Sequence, residues 1–185
     1  MTMKVMPLAI SGAWIIESPV FPDDRGIFRE WFKLEVLKEN GVPAFEVRQA
    51  NTSISKKGVI RGIHYSPEIN GQSKLVTCTS GSVLDVIFDL RPDSNTYGDH
   101  AEVELSESVG KCVYISSGLG HGFQALEEDS VVTYLLDKEY SPENEFSINP
   151  VDPNLSIKWP ILDFHISEKD RASANFIRIN KGQDL

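Results

Sequence analysis

The sequence predicts an all-β protein, a sandwich or barrel, on three observations. Short runs rich in branched and aromatic residues recur along the chain, clusters of Gly, Pro, Asn, Asp and Ser separate them, and one run alternates clearly enough to assign faces. The expected strands cover 13–16, 44–53, 74–79, 82–90, 101–105, 111–116, 122–127 and 131–136. Breaks such as Arg91-Pro92-Asp93-Ser94-Asn95 and Glu127-Glu128-Asp129-Ser130 hold the residue types that turns demand. Within Ser82-Val83-Leu84-Asp85-Val86-Ile87-Phe88-Asp89 the two-residue period puts Asp85 and Asp89 on one side of the pleat. One early helix is expected over 31–40, with Gly41 as its stop. Pro142, Pro150, Pro153 and Pro160 then break the chain into irregular pieces, and Ser167-Glu168-Lys169-Asp170-Arg171 begins a short helix or turn. No linker, repeat or low-complexity tract intervenes, so 1–185 reads as one domain with a sizeable core.

Composition narrows the function classes. Hydrophobic residues make up 41% and charged residues 24%, which is ordinary for a globular protein. A formal net charge of −9 disfavours general binding to nucleic acid or to a membrane surface. An anionic small molecule is still possible where the few cations converge. No apolar stretch approaches the ~20 residues of a bilayer span, and no signal-peptide cleavage pattern follows the short apolar run 7–10. The expected address is the cytoplasm. Cys78 and Cys112 make no zinc motif or disulfide framework, and they read as small core residues rather than nucleophiles.

The densest chemistry lies in Gly58-Val59-Ile60-Arg61-Gly62-Ile63-His64-Tyr65, with Lys74 ten residues beyond the histidine. An imidazole takes a proton near neutral pH, and cations beside it can hold a phosphate or steady an oxyanion. Together they suggest proton abstraction next to a carbonyl on an anionic substrate. A lone strand histidine is often only structural; here Arg61, Tyr65 and the close backbone approach that Gly62 allows favour function. His121 lies in Ser116-Ser117-Gly118-Leu119-Gly120-His121-Gly122-Phe123, whose spacing is not that of a dinucleotide fingerprint. A tight strand connection with an inward-facing histidine fits it better. Two histidines in a β-barrel also raise a cupin-type metal site, but the His-x-His pair is missing and Lys74 would repel a cation. His100 and His165 sit in loop-like contexts and are expected to face solvent. On their own, Tyr134 and Tyr140 read as core or rim, and Arg25 and Glu30 as a surface pair at a turn.

Taken together, these segments resemble the dTDP-4-dehydrorhamnose 3,5-epimerase family. The resemblance runs from about Gly12 to Ala174. It rests on Asp24-Arg25-Gly26-Ile27-Phe28-Arg29-Glu30, Arg48-Gln49-Ala50-Asn51, Val59-Ile60-Arg61-Gly62-Ile63-His64-Tyr65, Gln72-Ser73-Lys74-Leu75-Val76, Gly118-Leu119-Gly120-His121-Gly122-Phe123 and Ser167-Glu168-Lys169-Asp170-Arg171, in that order. It implies a cupin-like β-barrel (jelly roll) with short helices and an irregular C-terminal segment. It further implies a homodimer without metal or organic cofactor, and a dTDP-4-keto-6-deoxyhexose substrate. By the same resemblance His64 is the base, Asp170 its carboxylate partner, Tyr134 the acid on the opposite face and Lys74 the cation at the C4 oxygen. Arg25, Glu30, Gln49, Asn51, Arg61, His121, Glu145 and Lys169 fall at substrate-contact or site-organising positions, and Tyr140 beside the nucleotide-sugar. A C3-only or C5-only epimerase, a ketoisomerase, a non-catalytic sugar-binding barrel and a metal-dependent oxygenase are the alternatives.

Overall fold

The computed structural model describes residues 2–178, so both ends of the expected 1–185 domain lie outside it. The elements run β1 (Lys4–Pro7), β2 (Ala13–Glu17), β3 (Val20–Asp23), β4 (Gly26–Arg29), α1 (Leu34–Glu39), β5 (Gln49–Ser55), β6 (Val59–Tyr65) and β7 (Lys74–Ser80). They continue with β8 (Ser82–Asp89), β9 (His100–Ser106), β10 (Lys111–Ile115), β11 (Leu119–Ala125), β12 (Ser130–Leu136), β13 (Phe146–Ser147), β14 (His165–Ile166) and α2 (Glu168–Arg171). Two sheets carry the fold. The first has the order β1-β2-β10-β7-β12-β5, and the second β13-β6-β11-β8-β9 with β14 added parallel to β6. This is the expected all-β, cupin-like architecture.

Period-2 alternation decides what each layer contains. Val83 and Ile87 of β8 join Val76, Cys78, Phe123 and Val132 in the core between the sheets. Val86 and Phe88 of the same strand face the other way, against Ile148, Leu155, Trp159 and Phe176 of the C-terminal segment. That segment is irregular because of its prolines, yet it is a wall. On the far side of the first sheet, α1 lays Leu37 with Val42 and Phe45 over Leu75, Cys112 and Tyr114.

Several boundaries depart from expectation. The helix is shorter than 31–40, because Lys33 occupies the N-cap without a side-chain bond and Phe32 turns its ring edge-on to Phe45. Gly41 ends it as expected: at φ +80 it sends its N–H to Lys38 O, and Val42 N–H bonds Leu37 O. This is a Schellman closure. The strand expected over 44–53 begins only at Gln49, since Phe45 is drawn into the core under α1. The run expected at 122–127 starts at Leu119, so His121 stands inside β11 rather than in a connection. Short edge pieces such as β1, β3, β13 and β14 lack a readable period and were not expected.

Candidate active site

Between the sheets, at one end of the barrel, lies a cavity of about 590 Å³. The first sheet sends in Gln49 and Asn51 from β5, Lys74 from β7 and Tyr134 from β12, each on the inward phase of its strand. The second sheet sends in Arg61 and His64 from β6 and His121 from β11. Base and acid candidates therefore come from opposing walls.

Arg61 and His64 are three residues apart, a spacing that a regular strand would put on opposite faces. A register shift solves this: His121 pairs with His64 but Phe123 pairs with Arg61, so β6 carries one extra residue. Such a bulge re-aims side chains. Gly62 is the residue that permits it, at φ +123. A Cβ there would stand 2.5 Å from Gly122 Cα and 2.7 Å from the His121 carbonyl oxygen. No side chain fits.

His64 Nε2 lies 2.7 Å from Asp170 Oδ1. Ser167 caps the short α2 by accepting the Asp170 N–H, which fixes the carboxylate against β6. Burial pushes the Asp170 pKa up, but the bond to His64, its charge, and bonds from Ser167 and the Gly62 backbone outweigh it, so the carboxyl sits below its ordinary value. An ionised carboxylate only accepts. The proton is thus on Nε2, which donates to Asp170, and Nδ1 is the nitrogen left for chemistry.

Burial lowers the Lys74 pKa, while the charges of Glu145 and Asp85 oppose that fall. His121 Nε2 donates to Asp85 Oδ2 at 2.7 Å. At the rim, Gln49 accepts the Tyr140 backbone N–H through Oε1 and donates to Asn51 through Nε2. Arg61 donates to Ser55 Oγ and to Ile54 O. Glu145 and Lys169 complete the mouth.

Eleven of the thirteen residues singled out in the sequence line this one cavity: His64, Tyr134, Asp170, Lys74, Gln49, Asn51, Arg61, His121, Tyr140, Glu145 and Lys169. Arg25 and Glu30 do not. They belong to the β3–β4 hairpin region, where Arg25 pairs with Asp23 and Glu30 with Lys33 in the open. His165, expected in a solvent-facing loop, is exposed but stands on β14 and lines the mouth, because the parallel pairing with β6 carries it there. His100, also expected to face solvent, is half-buried on β9, stacked on Phe88 and paired with Glu102. Burial pushes the Cys78 and Cys112 thiols up to about 11, so neither is a nucleophile. Among the described residues no cluster of three or more His, Cys, Asp or Glu side chains is placed to hold a metal ion. None of their helices is long and apolar enough to cross a membrane.

The fold and its cavity define a cupin-type barrel equipped for acid–base chemistry. A family model described as dTDP-4-dehydrorhamnose 3,5-epimerase matches residues 7–177. The chain belongs to that family. It is 41% identical over 182 residues to the dTDP-4-dehydrorhamnose 3,5-epimerase of Mycobacterium tuberculosis, covering 94% of this chain and 88% of the relative. Among solved structures it is similar to NovW, a 4-keto-6-deoxy sugar epimerase of Streptomyces spheroides, with TM-score 0.91 and 37% identity over 95% of this chain and 88% of that one. It is also similar to the Legionella pneumophila epimerase in complex with dTDP-4-keto-L-rhamnose, with TM-score 0.87 and 36% identity over 94% and 92%.

Proposed function

We propose that this chain inverts C3 and C5 of dTDP-4-dehydro-6-deoxy-D-glucose, giving dTDP-4-dehydro-L-rhamnose. The observation that carries this reading is the placement of His64 and Tyr134 on opposite walls of one cavity, with Lys74 between the sheets beside them. The C4 ketone acidifies the protons on C3 and C5. His64 Nδ1 takes one, and Asp170 steadies the imidazolium through Nε2–H. Negative charge grows on the C4 oxygen, where the half-buried Lys74 ammonium neutralises it in a site of low dielectric. Tyr134 then returns a proton from the other face, which is what inversion requires. Arg61 and Lys169 at the mouth suit the diphosphate, and Tyr140, about half exposed, offers a ring beside the nucleotide.

Arg25 and Glu30 find a place in this scheme if the protein is a homodimer. Among the described residues the β3–β4 hairpin pairs with no other strand and exposes Phe21, Ile27 and Phe28. An isolated hairpin of this kind is marginal alone, and such a patch suits a partner surface. In the proposed dimer one protomer's hairpin packs on its partner and carries Arg25 toward the partner's cavity. Two free, buried thiols suit work in the reducing cytoplasm.

The deciding experiment is incubation with dTDP-4-dehydro-6-deoxy-D-glucose in D2O, followed by NMR. Label at both C3 and C5 with inversion is expected. Label at one carbon assigns a mono-epimerase, and binding without label assigns a sugar-binding barrel.

A further inference from the structure

The second histidine–carboxylate pair joins His121 to Asp85. Asp85 is fully buried on β8, between Val83 and Ile87, on a face that otherwise supplies core side chains. An ionised carboxylate there is costly to the fold unless it is well paired. Its pairing is incomplete. Oδ2 accepts from His121 Nε2, but buried Oδ1 has no hydrogen-bond partner among the described residues. Its other interaction is through space, since Asp85 and Glu145 are the carboxylates whose charge acts on Lys74. Glu145 stands at the cavity mouth, just before β13, whereas Asp85 is locked in mid-strand. Both groups that Asp85 serves line the cavity, and an apolar side chain would serve the core better.

We propose that Asp85 is a positioning residue of the reaction: it fixes the His121 ring by its Nε2–H, and it is the rigid counter-charge that keeps the Lys74 ammonium in place beside the developing enolate. The proposal rests on the epimerase reading above. His121 then presents Nδ1 to the sugar, just as His64 does from the paired position on β6. Two imidazoles, each oriented by its own aspartate, form one wall.

The test is the pH profile of kcat for full-length Asp85→Asn, which keeps the side chain's shape and removes its charge. The titratable and charged groups sharing the cavity with Lys74 are Arg61 and His64 from β6, His121 from β11, Tyr134 from β12 with Tyr140 after it, Glu145 before β13, His165 from β14, and Lys169 and Asp170 from α2, with Asp85 on β8 behind His121. From β10, the other neighbour of β7, the residue opposite Lys74 is Ile115. Loss of the nearby negative charge lets Lys74 release its proton more readily. The alkaline limb of kcat should therefore move to lower pH. At pH 8 kcat should fall by about tenfold or more, with the loss in kcat rather than KM. A folded variant with wild-type kcat and an unmoved alkaline limb overturns the proposal while leaving the epimerase reading intact. Wild-type protein that exchanges no proton overturns both. If Asp85→Asn does not fold, the wild-type protein decides by ring ¹⁵N–¹H correlation, with His121 assigned through its loss in His121→Gln. A proton on Nε2 protected from exchange supports the role, and a proton on Nδ1 overturns it.

Discussion

In the proposed mechanism Asp170 settles which ring nitrogen of His64 is free for chemistry. Its carboxyl is depressed below the ordinary value of 3.8, so its bond to His64 stabilises the folded state above the unfolded pKa. That contribution is lost as pH falls through the depressed folded value. The dyad's share of stability should survive at neutral pH and weaken only in acid. Asp170→Asn removes the charge that stabilises the imidazolium, and kcat should drop by about 10²-fold or more with the fold retained, read by steady-state kinetics beside circular dichroism. At this scale much was legible. His64, Lys74 and Arg61 could be named because polar groups in strand-forming runs stand out, whereas Tyr134 alone read as core or rim and, like Asp170, took its role from the family resemblance. Asp85 was visible too, as a charge on the apolar phase of an alternating run, but nothing in the chain's order says that His121 lies opposite it. His165 was misplaced for the opposite reason: two-residue strands have no period to read.

Among the elements, β6 is tightly constrained. Its bulge puts Arg61 and His64 on one face, and Gly62 allows the strand to press against β11. Gly62→Ala demands a Cβ 2.5 Å from backbone at a φ that side chains avoid. We expect a loss of about 2 kcal/mol or more in chemical denaturation. Activity should suffer beyond what stability explains, because relief of the clash moves His64 away from Asp170. Gly41 could be read in advance because a Schellman closure is local. The start of β5 could not, because the pull of Phe45 into the core under α1 is tertiary. The bulge in β6 was equally hidden, since it shows only when both strands are paired.

The whole molecule is two sheets sealed on their outer faces, by α1 on one side and by the proline-broken C-terminal segment on the other. That arrangement leaves the barrel's mouth as the route to the cavity, and it leaves one hairpin unpaired. If the hairpin is a dimer arm, the protein should sediment at twice its 20.7 kDa chain mass. Phe28→Asp should shift it toward the monomer, and substrate affinity should fall with it through displacement of Arg25. A monomeric wild-type protein would leave Arg25 and Glu30 without a role. The all-β class was readable from turn chemistry spread along the chain; a homodimer was expected only through the family resemblance, since an exposed Phe21 or Phe28 looks in sequence like any strand residue.

Two-sided proton transfer is most directly tested by comparing Tyr134→Phe and His64→Ala in D2O with the 4-keto sugar. With the phenol gone and the imidazole kept, deuterium should enter and leave on one face, so exchange should persist without inversion. With the imidazole gone, exchange should cease in a folded protein. Inversion at the wild-type rate in Tyr134→Phe, or undiminished exchange in His64→Ala, would contradict a mechanism built on these opposing walls.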